Sequence, residues 1–189
     1  RQLKGIGIFM LNIAIIGAGL SGLTAANILH DHATVTVFDK AKGPSGRLAT
    51  RRADPYSFDH GCQFFSAKSN AFKEFLAPML RQGVIKFWDA TFVEIENRQI
   101  AKSRQWDAQN PHYVGSPSMN AVGKFLSQDL RLALGTPVTA VRKTSTGCLL
   151  RGDTGQDLGQ FDWVVSAIPA QQAAALWPEE TSFYTKVKT

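Results

Sequence analysis

Gly17, Gly19 and Gly22 form a Gly-x-Gly-x-x-Gly run, and a carboxylate, Asp39, lies 22 residues after Gly17. Such a set can hold a pyrophosphate and a ribose. The first glycine makes a tight turn, the second lets backbone approach a phosphate, and the third lets a helix pack closely on a strand. An acid about 20 residues further on accepts hydrogen bonds from a ribose diol. This chemistry needs a strand before the glycines and a helix after them, so that the phosphates face the positive end of the helix dipole. Both are legible. Ile13-Ala14-Ile15-Ile16 is an apolar run of the buried parallel-strand type, and Leu20 to Leu29 reads as a helix rich in small residues. Thr34-Val35-Thr36-Val37-Phe38 reads as a second strand, ending at Asp39. Motif, context and acid agree on a dinucleotide-binding unit.

The 189 residues are 44% hydrophobic and 19% charged, which indicates a globular protein with a core. No stretch approaches about 18 uninterrupted apolar residues, so no membrane partner is expected. The net charge of +6 suits an anionic ligand such as a dinucleotide. The basic residues are scattered and no recognition motif accompanies them, so nucleic acid is not expected as a partner. Cys62 and Cys148 have no C-x-x-C or metal-ligand spacing, which favours a reducing cytoplasm. The four histidines do not cluster, and no metal is expected. Residues 1–9 read as an N-terminal extension, with Met10 a candidate start.

Further along, the segment after Asp39, KAKGPSGRLATRR, reads as too irregular for a helix or strand, and Tyr56–Asp59 as a short strand entering a turn at His60-Gly61. Residues 69–82 carry Phe72, Phe75, Leu76, Met79 and Leu80 on one helical face, with Ser69 as N-cap and Gly83 as stop. Pro78 should bend that helix or mark its last turn. Residues 84–103 read as a hairpin-like pair of strands around Glu96-Asn97, and 104–117 as loop. A second helix is expected from Ser118, with Met119, Val122, Leu126 and Leu130 on one face. Three strands punctuated by glycines follow, over 137–143, 147–151 and 156–161, and then the buried-type strand 163–168. The long interruption after the second strand suggests a flavoprotein: one domain for the dinucleotide, an inserted one to cover the isoalloxazine ring.

Four stretches carry a resemblance to a known family: IAIIGAGLSGLTAA, GPSGRLATRR, FDHGCQFFSA and VTAVRK…FDWVVSAIPA. The chain resembles the renalase-like branch of the FAD-dependent amine oxidase superfamily, over nearly the whole of residues 10–176. The resemblance implies an α/β fold. A Rossmann-like FAD-binding domain, with a parallel sheet and a three-strand β-meander, would span 10–66 and 132–170. An inserted α+β substrate domain, present in part, would span 67–131 and 171–189. It also implies non-covalent FAD. Gly17, Ala18, Gly19, Ser21 and Gly22 match the pyrophosphate loop, Asp39 the acid on the adenosine ribose, and Lys40 a neighbour of that ribose. Arg47 matches an arginine that pairs with the phosphates, a task suited to a guanidinium fork. His60, Gly61, Cys62 and Gln63 match the turn that passes the flavin ring. Val138 matches the strand residue whose backbone meets the adenine, and Ala167 lies in the strand returning under the cofactor.

Departures from the family pattern set further expectations. Ser45-Gly46 stands where two glycines are usual, and Cys62 where alanine is usual. A thiol there is either a tolerated small residue or a site of covalent attachment or redox chemistry. Family members continue well beyond this length, so the sequence is expected to be a fragment or the product of a truncated gene. The implied activity is hydride transfer from a dihydronicotinamide-like dinucleotide to flavin, with O2 as acceptor and H2O2 as product. Oxidation of an amine is the runner-up. A non-catalytic fragment that binds FAD or an ADP-containing nucleotide is the alternative of another class, and an NAD-only dehydrogenase gives GRLATRR no role. His60 is the one titratable catalytic candidate near the ring, with a structural role in the turn as its alternative.

Overall fold

The structure, a computed structural model, describes residues 10–106, 111–178 and 181. The expected extension, residues 1–9, lies outside them, as does most of the 179–189 tail. The first stretch of chain forms β1 (Leu11–Ile16), α1 (Leu20–Leu29) and β2 (Ala33–Asp39). The middle forms β3 (Thr50–Ala53), β4 (Tyr56–Asp59), β5 (Phe65–Ser66), α2 (Asn70–Arg81), β6 (Ile85–Phe87), β7 (Thr91–Glu96), β8 (Gln99–Gln105), β9 (His112–Gly115) and α3 (Asn120–Leu126). The last forms β10 (Arg131–Leu134), β11 (Val138–Thr144), β12 (Gly147–Gly152), β13 (Asp157–Phe161), β14 (Trp163–Ser166) and α4 (Ala170–Ala174). The chain divides into two compact units, Arg1–Gly46 with Leu126–Thr189, and Arg47–Phe125.

The first unit is built on a parallel sheet in the order β10-β2-β1-β14. Ile13 to Ile16 are all buried, as a strand covered on both faces requires. Ala14 and Ile16 meet the antiparallel meander β11-β12-β13 through Val141, Leu150 and Phe161. Strand alternation gives the opposite face to Ile13 and Ile15, and α1 packs against β1 and β2. Phe38 meets Phe161 edge-to-face at 5.7 Å, and Cys148 packs against the same core. This is the α/β, Rossmann-like arrangement expected from the sequence. Winding runs outward from β1 through β2 to β10, and β14 then returns on the other side of β1. The switch point therefore falls at the C-terminal ends of β1 and β14.

The second unit gathers smaller pieces: the sheet β5-β9-β6, and the hairpins β3-β4 and β7-β8. Its buried side chains include Leu76, Met79, Ile85, Tyr113, Met119 and Val122. The Ser69 hydroxyl accepts from Phe72 N at 3.2 Å, and α2 carries Pro78 in its last turn. Gly83, at φ +69°, supplies the expected stop.

Several local expectations are corrected. The segment after Asp39 is not wholly irregular: residues 46–48 make a 3-10 turn, and Thr50–Ala53 pairs with Tyr56–Asp59. The expected pair over 84–103 splits, because Ile85–Phe87 pairs with β9 while the hairpin is β7 with β8. The 104–117 segment is not all loop, since His112–Gly115 is the central strand of β5-β9-β6. The helix expected from Ser118 stops at Leu126, short of Leu130. A fourth parallel strand, Arg131–Leu134, was not expected.

Leu150 is fully buried where the meander meets the sheet. Leu150→Ala should cost about 2–5 kcal/mol in urea denaturation, from lost burial and the cavity left behind. Ile100→Ala, on the exposed hairpin, should stay within about 0.5 kcal/mol.

Candidate dinucleotide site

The three glycines differ in why they must be glycine. Gly17 turns the chain at φ +112°, its N–H donating to Phe38 O at 2.8 Å. A Cβ there would stand 2.9 Å from both Ala167 O and Ile168 Cγ2. A Cβ on Gly22 would come within 1.9 Å of Gly17 O, so the first turn of α1 can close on the loop only with glycine at this position. Gly19 is different. The nearest atom to a Cβ built on it is Gly46 Cα at 3.8 Å, an ordinary contact, and its φ of −80° suits any residue. Folding gives Gly19 no reason to lack a side chain.

Gly19 is the N-cap of α1, yet no side chain caps the helix and no acid lies in its first turn. The free amides and the positive dipole end are thus left to an anion. Ser21 is exposed on that first turn. Ala18 N donates to Asp39 Oδ2 at 2.6 Å, and Ala41 N to Asp39 Oδ1 at 2.8 Å. Each carboxylate oxygen keeps a further lone pair for a hydroxyl. The Lys40 ammonium lies 3.3 Å from Gln172 Oε1. Ala167 supports the loop from below, its N–H bonded to Ile16 O at 2.8 Å. Val138 opens β11, half-buried with its side chain packed against the core.

A second loop, unforeseen as a buttress, completes this region. Ser45 N donates to Ala18 O at 2.9 Å, and Ser45 bridges to Gly19 in parallel fashion. Gly46, at φ +54°, would bring a Cβ to 2.8 Å from Gly19 Cα. Ser45 itself is fully buried at φ +134°, a conformation glycine takes without strain and serine does not. The GPSG run was the available signal.

Arg47, His60, Gly61 and Gln63 belong to the second unit, with Arg47, His60 and Gln63 exposed. The structure joins their two motifs. Cys62 N donates to Arg47 O at 2.9 Å, and a Cβ on Gly61 would come within 2.1 Å of that same carbonyl. Asp59, which sequence reasoning passed over, ties the hairpin to α3. It accepts from the Thr50 hydroxyl and from Met119 N at 3.0 Å, while Asn120 N donates to Thr50 Oγ1 at 3.3 Å. The His60–Gln63 turn therefore leaves a fixed residue and is held again at Cys62. Burial pushes the Cys62 thiol up, a Phe64 backbone hydrogen bond opposes this, and the Asp59 carboxylate raises it further. Such a thiol is a poor nucleophile. Among the described residues, no group of three or more His, Cys, Asp or Glu is placed to hold a metal, and no helix is long and apolar enough to cross a membrane.

The fold is that of a Rossmann-like α/β protein. The family profile described as NAD(P)-binding Rossmann-like domain matches residues 15–78. Among solved structures, one assigned provisionally as a protoporphyrinogen oxidase, from Exiguobacterium sp. 255-15, superposes with a TM-score of 0.66 at 12% identity. The match covers 90% of this chain and 62% of that one. The tetracycline destructase Tet(51) superposes with a TM-score of 0.63 at 10% identity, over 86% of this chain and 39% of that one. At these identities the likeness is one of fold, and this chain spans under two thirds of either protein.

Two outcomes test the site. Gly19→Ala should keep the melting temperature within the shift of about 1 kcal/mol yet lower affinity for an ADP-containing nucleotide at least about tenfold, whereas Gly22→Ala should unfold or strongly destabilise the unit. Calorimetric titration beside thermal melting separates them. Alkylation of Cys62 by iodoacetamide, followed by mass spectrometry across a pH series, should rise at higher pH than alkylation of a free cysteine. Its raised pKa leaves less thiolate at any given pH below it.

Proposed function

We propose that the chain is the cofactor-binding part of an FAD-dependent oxidoreductase of the oxidase type, with FAD held non-covalently. The observation that carries this reading is Gly19, a glycine that packing does not require, at the uncapped N-terminus of α1. The residues fit the ADP half of the group: loop amides and helix dipole for the pyrophosphate, Asp39 for ribose hydroxyls, and Lys40 beside them. Arg47 takes the role of a phosphate partner, and the His60–Gln63 turn that of the passage along the flavin ring. These roles come from the resemblance of GRLATRR and FDHGCQFF, and the backbone bond from Cys62 N to Arg47 O, which joins the two motifs, supports them.

The chemistry supplied by the bound group is two-electron oxidation: a hydride leaves the donor, and with one proton its electrons reduce dioxygen to hydrogen peroxide. The donor proposed is a dihydronicotinamide-like dinucleotide. Its ring nitrogen supplies the electron push, so the chain need provide no general base. The task of its residues is to orient the donor and exclude water. His60, exposed in the turn, is the catalytic candidate there, with a structural role in the turn as its alternative.

Protein purified after expression with riboflavin should show bands near ~375 and ~450 nm and release FAD on heating. Isomeric dihydronicotinamide nucleotides should then yield peroxide. Peroxide from an amine instead would reassign the donor. A colourless protein that binds ADP would overturn the flavin reading and leave a nucleotide-binding fragment.

A further inference from the structure

The second unit carries an aromatic cluster built from Phe64, Trp88, Phe92, Trp106 and His112. Trp106 is its hub, with ring centroids 4.9 Å from Phe64, 4.9 Å from Trp88 and 3.7 Å from His112, the last stacked nearly parallel. Phe92 lies beyond, 6.4 Å from Trp106, with the Arg104 guanidinium 5.0 Å over its ring. The backbone beneath is fixed: Trp88 N donates to His112 O at 2.8 Å, and Trp106 N to Ala90 O at 3.1 Å. Rings serving only as packing would be covered. Phe64, Trp88 and Phe92 are instead 40%, 40% and 38% exposed, while the buried core of this unit lies elsewhere, around Leu76, Met79, Ile85 and Met119.

Charge decides the ligand class. At the Trp106 end of the hairpin the acids are engaged, Asp89 by Gln105 Nε2 at 2.7 Å and Glu94 by Lys102 at 3.2 Å, while Glu96 lies at the opposite, turn end beside Gln99. Arg104, among the described residues, makes no ion pair. A substrate ammonium at the rings would find aromatic faces, but among the described residues the one carboxylate of this hairpin without a partner, Glu96, lies at its far end. A flat ring bearing a phosphate finds faces to stack on and a cation at the rim. Phe64 also follows Gln63 directly in the chain.

We propose that Phe64, Trp88, Trp106 and His112, rimmed by Arg104, form a stacking platform for the ring and phosphate of a reduced nicotinamide mononucleotide unit. This deepens the reading above and rests on it for which nucleotide is taken. The rings supply contact that tolerates either face of a planar heterocycle, and Arg104 fixes the end that carries phosphate.

The test uses the full chain with Trp163→Phe and Trp177→Phe, which confines tryptophan emission to Trp88 and Trp106. Reduced nicotinamide mononucleotide is the probe, because it lacks the adenosine diphosphate half assigned to Gly17–Gly22. Titration should quench tryptophan emission saturably, with energy transfer to the dihydronicotinamide. Phe64→Leu, which keeps apolar bulk, and Arg104→Gln should each weaken binding about tenfold, and Arg104→Gln should also flatten its salt dependence. Ile100→Ala should leave it unchanged. No saturable transfer, transfer indifferent to Phe64→Leu and Arg104→Gln, or quenching by AMP or benzylamine in preference to the probe would each overturn the platform. Flavin content, read separately near ~450 nm, reports the cofactor assignment independently.

Discussion

The approach of Gly22 to the carbonyl of Gly17 governs the first unit. With no Cβ to hold them apart, α1 starts directly against the end of β1, and the loop between them has one path. Everything nearby is referred to that path. Ala167 sits beneath it, Ser45 and Gly46 close over its flank, and Asp39 bonds back to Ala18. Chain segments far apart in sequence thus converge on six residues of backbone. Of the three glycines, Gly19 is the one whose surroundings leave ordinary contact distance for a Cβ.

The second unit uses a different device. Its sheets have two or three strands each, and hydrogen bonds to single acceptors help to organise the turns between them. Asp59 and Thr50 hold the start of α3, and the Arg47 carbonyl holds the turn after Asp59. A compact fragment with little buried area can define a turn this way, because two charged-group hydrogen bonds each contribute about 1.5–3 kcal/mol.

How much of this was legible in the sequence follows from where each signal resides. β1, α1, β2 and the meander could be read because their apolar runs are long and glycines bound them. β9 and β10 could not. HYVG and RLAL are four residues each, too short for a period, and they become strands only by pairing with β5, β6 and β2. Thr50–Ala53 was hidden for another reason: a basic, exposed hairpin strand carries no apolar alternation. At the site, the spacing of glycines and acid was readable, but the bond from Ala18 to Asp39 and the contact of Gly46 with Gly19 are tertiary facts. Asp59 looked like an ordinary strand end, and the aromatic cluster is scattered over residues 64–112, so no local pattern announces either.

Asp39 has one more consequence. Its two oxygens are already held by Ala18 N and Ala41 N, so its rotamer is set when the chain folds. Immobilising a free side chain at the moment of association costs about 0.5–1.5 kcal/mol, and here that loss has been moved into folding. The acid is also kept from swinging outward to meet a bulkier or displaced hydroxyl. Under the proposed reading it would act as a rigid ruler, measuring the distance from the glycine loop to a sugar and tolerating little error in it.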